Sequence, residues 1–588
     1  MNQKSSRRDL LRSVASLGLA PLAAAQRGAR RPNFVIILAD DQGWGDLSVH
    51  GNTNLSTPNI DSLARDGVRF ERFFVCPVCA PTRAEFLTGR YHPRGGVRGV
   101  TTGAERLNLD ETVMPQSFHA AGYATGAFGK WHNGMQHPYH PNARGFQEYY
   151  GFTSGHWGMY FDTEMDHNGE LAKGKGYITD DLTDHAMAFI EKNKDKPFFC
   201  YIPYNTPHSP MQVPDQYYRK FADADLKLRA TDPKLEDIPH TRAALAMVEN
   251  IDWNVGRILK KIDQLNLAAN TVVLYFSDNG PNGWRWNEGM KGRKGTVDEG
   301  GVRSPLLIRW PGHIKPGTKI PQIAGAIDLY PTLTDMAGVP ITAKKPLDGK
   351  SLKPLLTGQS ANWPDRMIFS VQNRRVSVRT QQYRFDPEGH LFDMQADPNQ
   401  KRDVAAQHPE VAAKLKAAVN AWSQEVLPKG PDDRPFTVGY YKTTRLPARD
   451  GVPEGSVERS GRAPNSSFFT HWVSKDDRMT WDIEVGSAGT YEAAIYYACH
   501  NGDEGSLVEL SFAGEALQAR IAAPHDVPLR GKEHDRTDRG SESYVKDFKR
   551  YSLGKIKLGK TRAKIALRAL EVKGKEVAEV RYLELVKA

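Results

Sequence analysis

Cysteine is scarce in this chain: 588 residues carry only four, Cys76, Cys79, Cys200 and Cys499. That density excludes a disulfide-stapled scaffold. No window beyond the N-terminal segment approaches the roughly 20 apolar residues that a membrane-spanning helix requires, so no stable membrane span is expected. Long runs of Lys and Arg are absent, and with them the basic arm that would call for a nucleic-acid partner. No internal repeat occurs, which excludes solenoid and propeller arrays.

What is present is apolar material in plenty and more length than one hydrophobic core usually serves, so at least two domains are expected. The formal net charge is +10. Residues 1–25 hold Lys4, Arg7, Arg8 and Arg12 against Asp9, a net +3, which leaves +7 for a chain without them. This mild excess suits an anionic polymer such as a sulfated glycan, and suits equally a scattered, solvated surface. Ser6-Arg7-Arg8-Asp9-Leu10-Leu11-Arg12, followed by a small, apolar stretch ending at Ala23-Ala24-Ala25, resembles a twin-arginine export signal over 1–25. It implies engagement with export machinery and a periplasmic or secreted location. A disordered basic tail is the plainer alternative.

Residues 33–39 form a continuous apolar run rich in β-branched side chains, as expected of a strand buried on both faces, and the run ends in Asp40-Asp41. Three more segments repeat this layout. Residues 123–128 lead to Lys130 and His132, 197–204 lead to His208, and 271–276 lead to Asp278-Asn279. Open α/β sheets bind ligands at the carboxyl edge, so these four segments are expected to meet in one pocket. Helices are predicted at 59–66, 181–193 and 241–265, and the alternation with strands indicates a doubly wound α/β domain. A smaller unit follows, strand-rich over 375–392 with an amphipathic helix over 408–426. Residues 428–455 are rich in Pro, Gly, Asp and Arg and read as a linker. Alternation at Trp481-Ile483-Val485, Tyr491-Ala493-Ile495-Tyr497 and Val508-Leu510-Phe512 predicts an antiparallel β-sandwich over 456–588.

Cys79-Ala80-Pro81-Thr82-Arg83 sets a thiol and a guanidinium at the start of a predicted helix. Pro81 fits the first turn, and the free amides and dipole there attract anions and favour a thiolate. Cys76-Pro77-Val78-Cys79 is also a C-x-x-C, which admits a redox pair or half of a zinc site, although no second pair completes four sulfur ligands. Asp40, Asp41, Asp278 and Asn279 form an all-oxygen set suited to a hard divalent cation, and carboxylates at that density otherwise repel one another. Arg83, Lys130, His132, His208 and Lys294 supply cationic and proton-transferring groups. Singly, each of these residues is more often a cap, a turn or a surface group.

Together the segments resemble the type I sulfatases of the alkaline-phosphatase-like superfamily. The likeness runs from Arg31-Pro32-Asn33 through Asp40-Asp41, the Cys79 segment, Gly129-Lys130-Trp131-His132, Pro207-His208, Ser277-Asp278-Asn279-Gly280 and Lys294-Gly295 to Leu391-Phe392-Asp393, in the family's order. The family commonly has Ser where this chain has Thr82. The resemblance implies a doubly wound mixed sheet over 31–340 with a smaller α+β subdomain over 341–427, and hydrolysis of a sulfate ester. In that family a maturation enzyme oxidises the cysteine to formylglycine (3-oxoalanine), whose hydrate attacks sulfur and gives a covalent sulfate-enzyme intermediate. By the same resemblance Asp40, Asp41, Cys79, Asp278 and Asn279 hold the metal, Ca²⁺ in preference to Mg²⁺. Lys130 and Lys294 neutralise the sulfate, His208 with Lys294 serves the departing oxygen, His132 takes the proton of the second hydroxyl, and Arg83 orients the formylglycine.

Substrate selection falls to loops: 94–106, 137–144, 155–166 and 282–288. His156, Trp157, Trp284, Arg285 and Trp286 are the candidate contacts to a sulfated saccharide. The C-terminal region, with Trp472, Trp481, Tyr496, Tyr497 and a loop over 536–544, resembles carbohydrate-binding sandwiches, and a structural cap completing the active-site rim is the alternative. Two other functions stay open: a phosphoryl- or phosphonate-ester hydrolase of the same superfamily, and a noncatalytic receptor for sulfated glycans.

Overall fold

Side chains along the strand Asn33–Ala39 alternate between two apolar clusters, Val35, Ile37 and Ala39 entering one and Phe34, Ile36 and Leu38 the other. A strand buried on both faces needs a layer on each side. The computed structural model describes residues 31–359 and 363–588, so the export signal read over 1–25 lies outside the described residues. Asn33–Ala39 sits near the middle of a ten-stranded sheet. It is flanked in parallel by Phe198–Pro203 and Thr271–Ser277, with Ala124–Lys130 and Glu148–Phe152 continuing the parallel run beyond Phe198–Pro203. Leu306–Arg309 joins antiparallel to Thr271–Ser277, which makes the sheet mixed.

The helices Pro58–Arg65, Ile178–Lys192 and Ile238–Gln264 cover one face through Ile60, Leu63, Leu182, Phe189, Ile251 and Ile258. Cys79–Thr88, Met114–Ala120 and Leu329–Ala337 cover the other through Phe86, Leu87, Phe118 and Leu333. Asp237 caps the longest helix by accepting from the His240 N–H at 3.1 Å. Because the central strands run parallel, the residues that follow them emerge along one edge. Among the described residues no helix is long and apolar enough to cross a membrane.

The smaller unit is a four-stranded antiparallel sheet, Ile368–Gln372, Arg375–Arg379, Tyr383–Phe385 and Leu391–Asp393, packed against the helix Pro409–Val426. Two further sheets face each other across a core containing Trp472, Trp481, Tyr491, Val508 and Leu583, and form the C-terminal β-sandwich. The linker reading of 428–455 needs correction. Phe436–Val438, Thr443–Pro447 and Val452–Glu454 are strands of these sheets. They are too short, and too closely flanked by turns, to leave an alternating signature.

Candidate active site

Asp40 and Asp41 follow the strand Asn33–Ala39, Lys130 ends Ala124–Lys130, and Asp278 and Asn279 follow Thr271–Ser277. Two tight backbones keep them close: Asp41 and His132 adopt left-handed conformations, φ 64° and 60°, which non-glycine residues hold only when their surroundings fix them. The Asp41 amide donates to Asp278 Oδ1 at 3.1 Å, and Asn279 Nδ2 donates to Asp41 Oδ1 at 2.8 Å. Asp40 Oδ1 and Asn279 Oδ1 are buried without a hydrogen-bond partner. Donor atoms of Asp40, Cys79 and Asp278 lie within 4.8 Å of one another, as do those of Asp40, Asp41 and His208. Orphaned buried oxygens beside clustered carboxylates are the chemistry of a hard-cation site, so these residues fit the divalent metal expected here.

Cations ring the cluster. Lys130 Nζ donates to Asp40 Oδ2 at 2.6 Å, Lys294 Nζ to Asp41 Oδ2 at 2.7 Å, and Arg83 Nη2 to Asp278 Oδ2 at 2.8 Å, while Arg83 Nη1 holds the Lys130 carbonyl at 2.8 Å. Burial pushes Asp41 upward, but His208, Lys294, Asn279 and Lys130 outweigh it and hold the carboxyl well below the usual range. Burial and the charge of Asp40 raise Asp278 to about 7, against the pull of Arg83 and Lys130. Such a split marks a pair of acids crowded into one low-dielectric pocket.

Cys79 is the first residue of its helix and is buried. Burial raises its thiol above the ordinary value, and Lys130 and Lys294 only partly offset it, against the helix-start effect that favours a thiolate. Cys76 and Cys79 are both free. Cys76 groups with Glu85 and His92 rather than with a second sulfur ligand. Thr82 Oγ1 accepts from the Cys76 N–H at 2.8 Å and donates to the Asp278 carbonyl at 2.5 Å, tying the helix start to the carboxylates. His132 Nε2 meets the Val100 carbonyl at 2.8 Å, leaving Nδ1 without a partner. His208 Nδ1 meets the Ser209 carbonyl at 2.6 Å, and its Nε2 lies 3.5 Å from Asp41 Oδ2. Burial keeps both rings below their ordinary value, His132 well below it with help from Lys130, and His208 at about 4 despite Asp41.

The family model for sulfatases matches residues 32–339, and the model described as N-sulphoglucosamine sulphohydrolase, C-terminal, matches 293–425. The chain belongs to the sulfatase family. It is a sulfuric ester hydrolase. It is 32% identical to mouse N-acetylgalactosamine-6-sulfatase over 64% of this chain and 75% of that one, and 32% identical to human arylsulfatase A over 68% and 89%. The crystal structure of Ps i-CgsB in complex with k-i-k-neocarrahexaose is 30% identical, with a TM-score of 0.62 over 68% of this chain and 94% of that one.

In this sulfatase Cys79, His132, His208 and Lys294 open onto one cavity of about 500 Å³. Of the five residues read as substrate contacts, His156 lines it, and burial holds its ring at about 3. The others do not. Trp157 packs on Phe152 and donates to Thr163 Oγ1 at 2.9 Å. Arg285 is buried in an ion pair with Asp46 at 2.6 Å, and its Nη2 also donates to the Asp41 carbonyl at 3.0 Å, so it braces the loop that carries the carboxylates. Trp284 packs beside Arg293, and Trp286 backs onto Gly45. Trp472 and Trp481 lie in the sandwich core and form no platform for a sugar. Thr101 lines the cavity from the loop 94–106 expected to select substrate, whereas His240 and Asn465 line it from outside the expected loops. No local pattern distinguishes them.

Proposed function

We propose that this sulfatase removes sulfate from a saccharide, with formylglycine derived from Cys79 as the nucleophile and Ca²⁺ held by Asp40, Asp41, Asp278, Asn279 and position 79. The observation that carries this reading is the joining of two features: Arg83, Lys130 and Lys294 bonded to the carboxylate cluster, and Cys79, His132, His208 and Lys294 lining one cavity wide enough for a sugar. About 500 Å³ falls within the roughly 300–1,000 Å³ of small-ligand sites. When present, the two groups supply a hydrated aldehyde with two hydroxyls and a concentrated positive charge for the sulfuryl oxygens.

The chain's own residues do the rest. Lys130 and Lys294 offset the negative charge that develops on the sulfuryl group. Arg83 fixes Asp278 and the Lys130 carbonyl together, which keeps position 79 aligned. With Nε2 donating to the Val100 carbonyl, His132 keeps Nδ1 free to accept a proton from the hydroxyl at position 79. His208, its Nδ1 donating to the Ser209 carbonyl, turns Nε2 toward the carboxylates, and an anionic ester beside it raises its proton affinity so that it serves the departing oxygen. The saccharide assignment draws on relatives whose names or ligands are sugars. The Arg7-Arg8 segment supports export to the periplasm or medium.

The test is sulfate release, followed by ion chromatography, from a panel of sulfated monosaccharides and matched phosphate and phosphonate esters. Preferential turnover of sulfated sugars is expected. Turnover of the phosphorus esters alone would replace the assignment, and tight binding of sulfated sugars by modified protein without turnover would favour a receptor.

A further inference from the structure

The β-sandwich lies beyond the segments matched by the family models, which end at residue 425, yet it forms part of the cavity wall. Asn465, Asp538 and Glu542 come from it and share that cavity with Cys79, His132, His208 and Lys294. These loops are fastened firmly. Arg539 donates to the Gly158 carbonyl at 2.8 Å and pairs with Asp535 at 2.7 Å, and Gln212 Nε2 donates to the Gly531 carbonyl at 2.7 Å and to Asp535 Oδ1 at 2.8 Å. On the other side Ser154 Oγ donates to the Asn465 carbonyl at 2.9 Å, and Arg449 bridges Ser154 and Glu105. A wall built this way is preorganised rather than tethered.

Glu542 is its most telling member. Its side chain is only 9% exposed. Oε1 accepts from Ser209 Oγ at 2.6 Å and lies 3.9 Å from His208 Nδ1, while Oε2 has no partner. Thr101 Oγ1, His132 Nδ1 and His156 Nε2, on residues that line the same cavity, are likewise buried without a partner. Charge is divided across the space: Lys294 lines it from the α/β domain, and Glu542 and Asp538 line it from the sandwich. The one guanidinium there, Arg539, is consumed by Asp535 and by two carbonyls. An unpaired buried carboxylate oxygen calls for a hydroxyl donor and opposes a second anion.

We infer that the sandwich completes the substrate cavity and that Glu542 selects saccharides bearing a free hydroxyl, and no second sulfate or carboxylate, beside the ester that is cleaved. This rests on the saccharide-sulfatase reading above. Glu542, which lines the cavity, accepts the hydroxyl hydrogen bond with its carboxylate, and Asp538, exposed at the rim, adds to the repulsion of a neighbouring anion.

The experiment compares kcat/KM for the monosulfated and disulfated forms of one accepted monosaccharide in the wild type, Glu542→Gln and Asp538→Asn. Because the comparison is a ratio within each enzyme, a disturbance of His208, passed through Ser209 or directly from Glu542, lowers both rates alike and leaves the ratio unmoved. The wild type is expected to prefer the monosulfated sugar by about tenfold or more, the penalty of setting two like charges within one screened cavity. In Glu542→Gln, which keeps the Oε1 acceptor for Ser209, the preference should fall to about threefold or less; Asp538→Asn, on the surface and safe for folding, should show a smaller fall. An unchanged ratio in Glu542→Gln, or a wild type without preference, overturns the inference while leaving the sulfatase reading intact. No turnover of any sulfated sugar by wild-type protein carrying formylglycine overturns both.

Discussion

Replacing Glu85 by Gln should make the protein more stable at alkaline pH. Glu85 lies in the helix that begins at Cys79, with its carboxyl buried beside Cys76 and accepting the His92 N–H at 3.2 Å. Burial raises it from an ordinary 4.5 to about 8, against the Cys76 and His92 hydrogen bonds. The folded protein therefore holds a proton there at neutral pH that the unfolded chain releases. A carboxyl raised in this way contributes fully below about pH 4.5, and its contribution is lost as pH climbs toward 8. A shift of that size corresponds to about 5 kcal/mol in total, of which about 3–4 kcal/mol falls between about pH 5 and pH 8. Glutamine keeps the acceptor for His92 and has no proton to lose. Urea unfolding followed by tryptophan fluorescence, with Ca²⁺ saturating so that the carboxylate cluster does not add its own pH dependence, should show the wild type weakening over that interval relative to Glu85→Gln. Parallel pH curves for the two proteins would refute the reasoning.

Three other outcomes follow from the site. Thr82→Val leaves the Cys76 N–H and the Asp278 carbonyl unpaired and should cost about 2–4 kcal/mol in urea unfolding, whereas Thr82→Ser keeps both bonds and should cost about 1 kcal/mol; equal losses would contradict the role given to the hydroxyl. Lys130→Ala and Lys294→Ala should each lower kcat on an aryl sulfate by about 10²–10³-fold if, as proposed, their charges offset that of the sulfuryl group, and an effect confined to KM would move them from transition-state to ground-state binding. Chelation should lower the thermal midpoint and Ca²⁺ should restore it, with saturation at about a thousand times Kd worth about 4 kcal/mol; an unmoved midpoint would leave the orphaned oxygens of Asp40 and Asn279 without their explanation.

Much of the site was legible because each part is written locally. An apolar run followed at once by Asp40-Asp41, or by Asp278-Asn279, reports both a buried strand and what stands at its end, and parallel pairing does the gathering. Arg285 was misread because its purpose depends on Asp46, a partner remote in sequence. The tryptophans failed for a related reason: Trp481 gives its indole N–H to the Pro447 carbonyl inside the sandwich, and sequence alone does not separate such a core residue from a platform. The loop over 536–544 was noticed, with a rim role held open, but the carboxylate it brings beside Ser209 depends on how the sandwich docks. The strands within 428–455 were hidden by the Pro and Gly that flank them.

The chemistry turns on what stands at position 79. Trypsin should release residues 73–83, bounded by Arg72 and Arg83 and containing both Cys76 and Cys79, and fragmentation of that peptide from protein made in its own host locates any change. A loss of about 18 Da on Cys79, with Cys76 unaltered, is the predicted result. An intact thiol at Cys79, or a disulfide to Cys76, in protein that releases sulfate would contradict the proposed nucleophile.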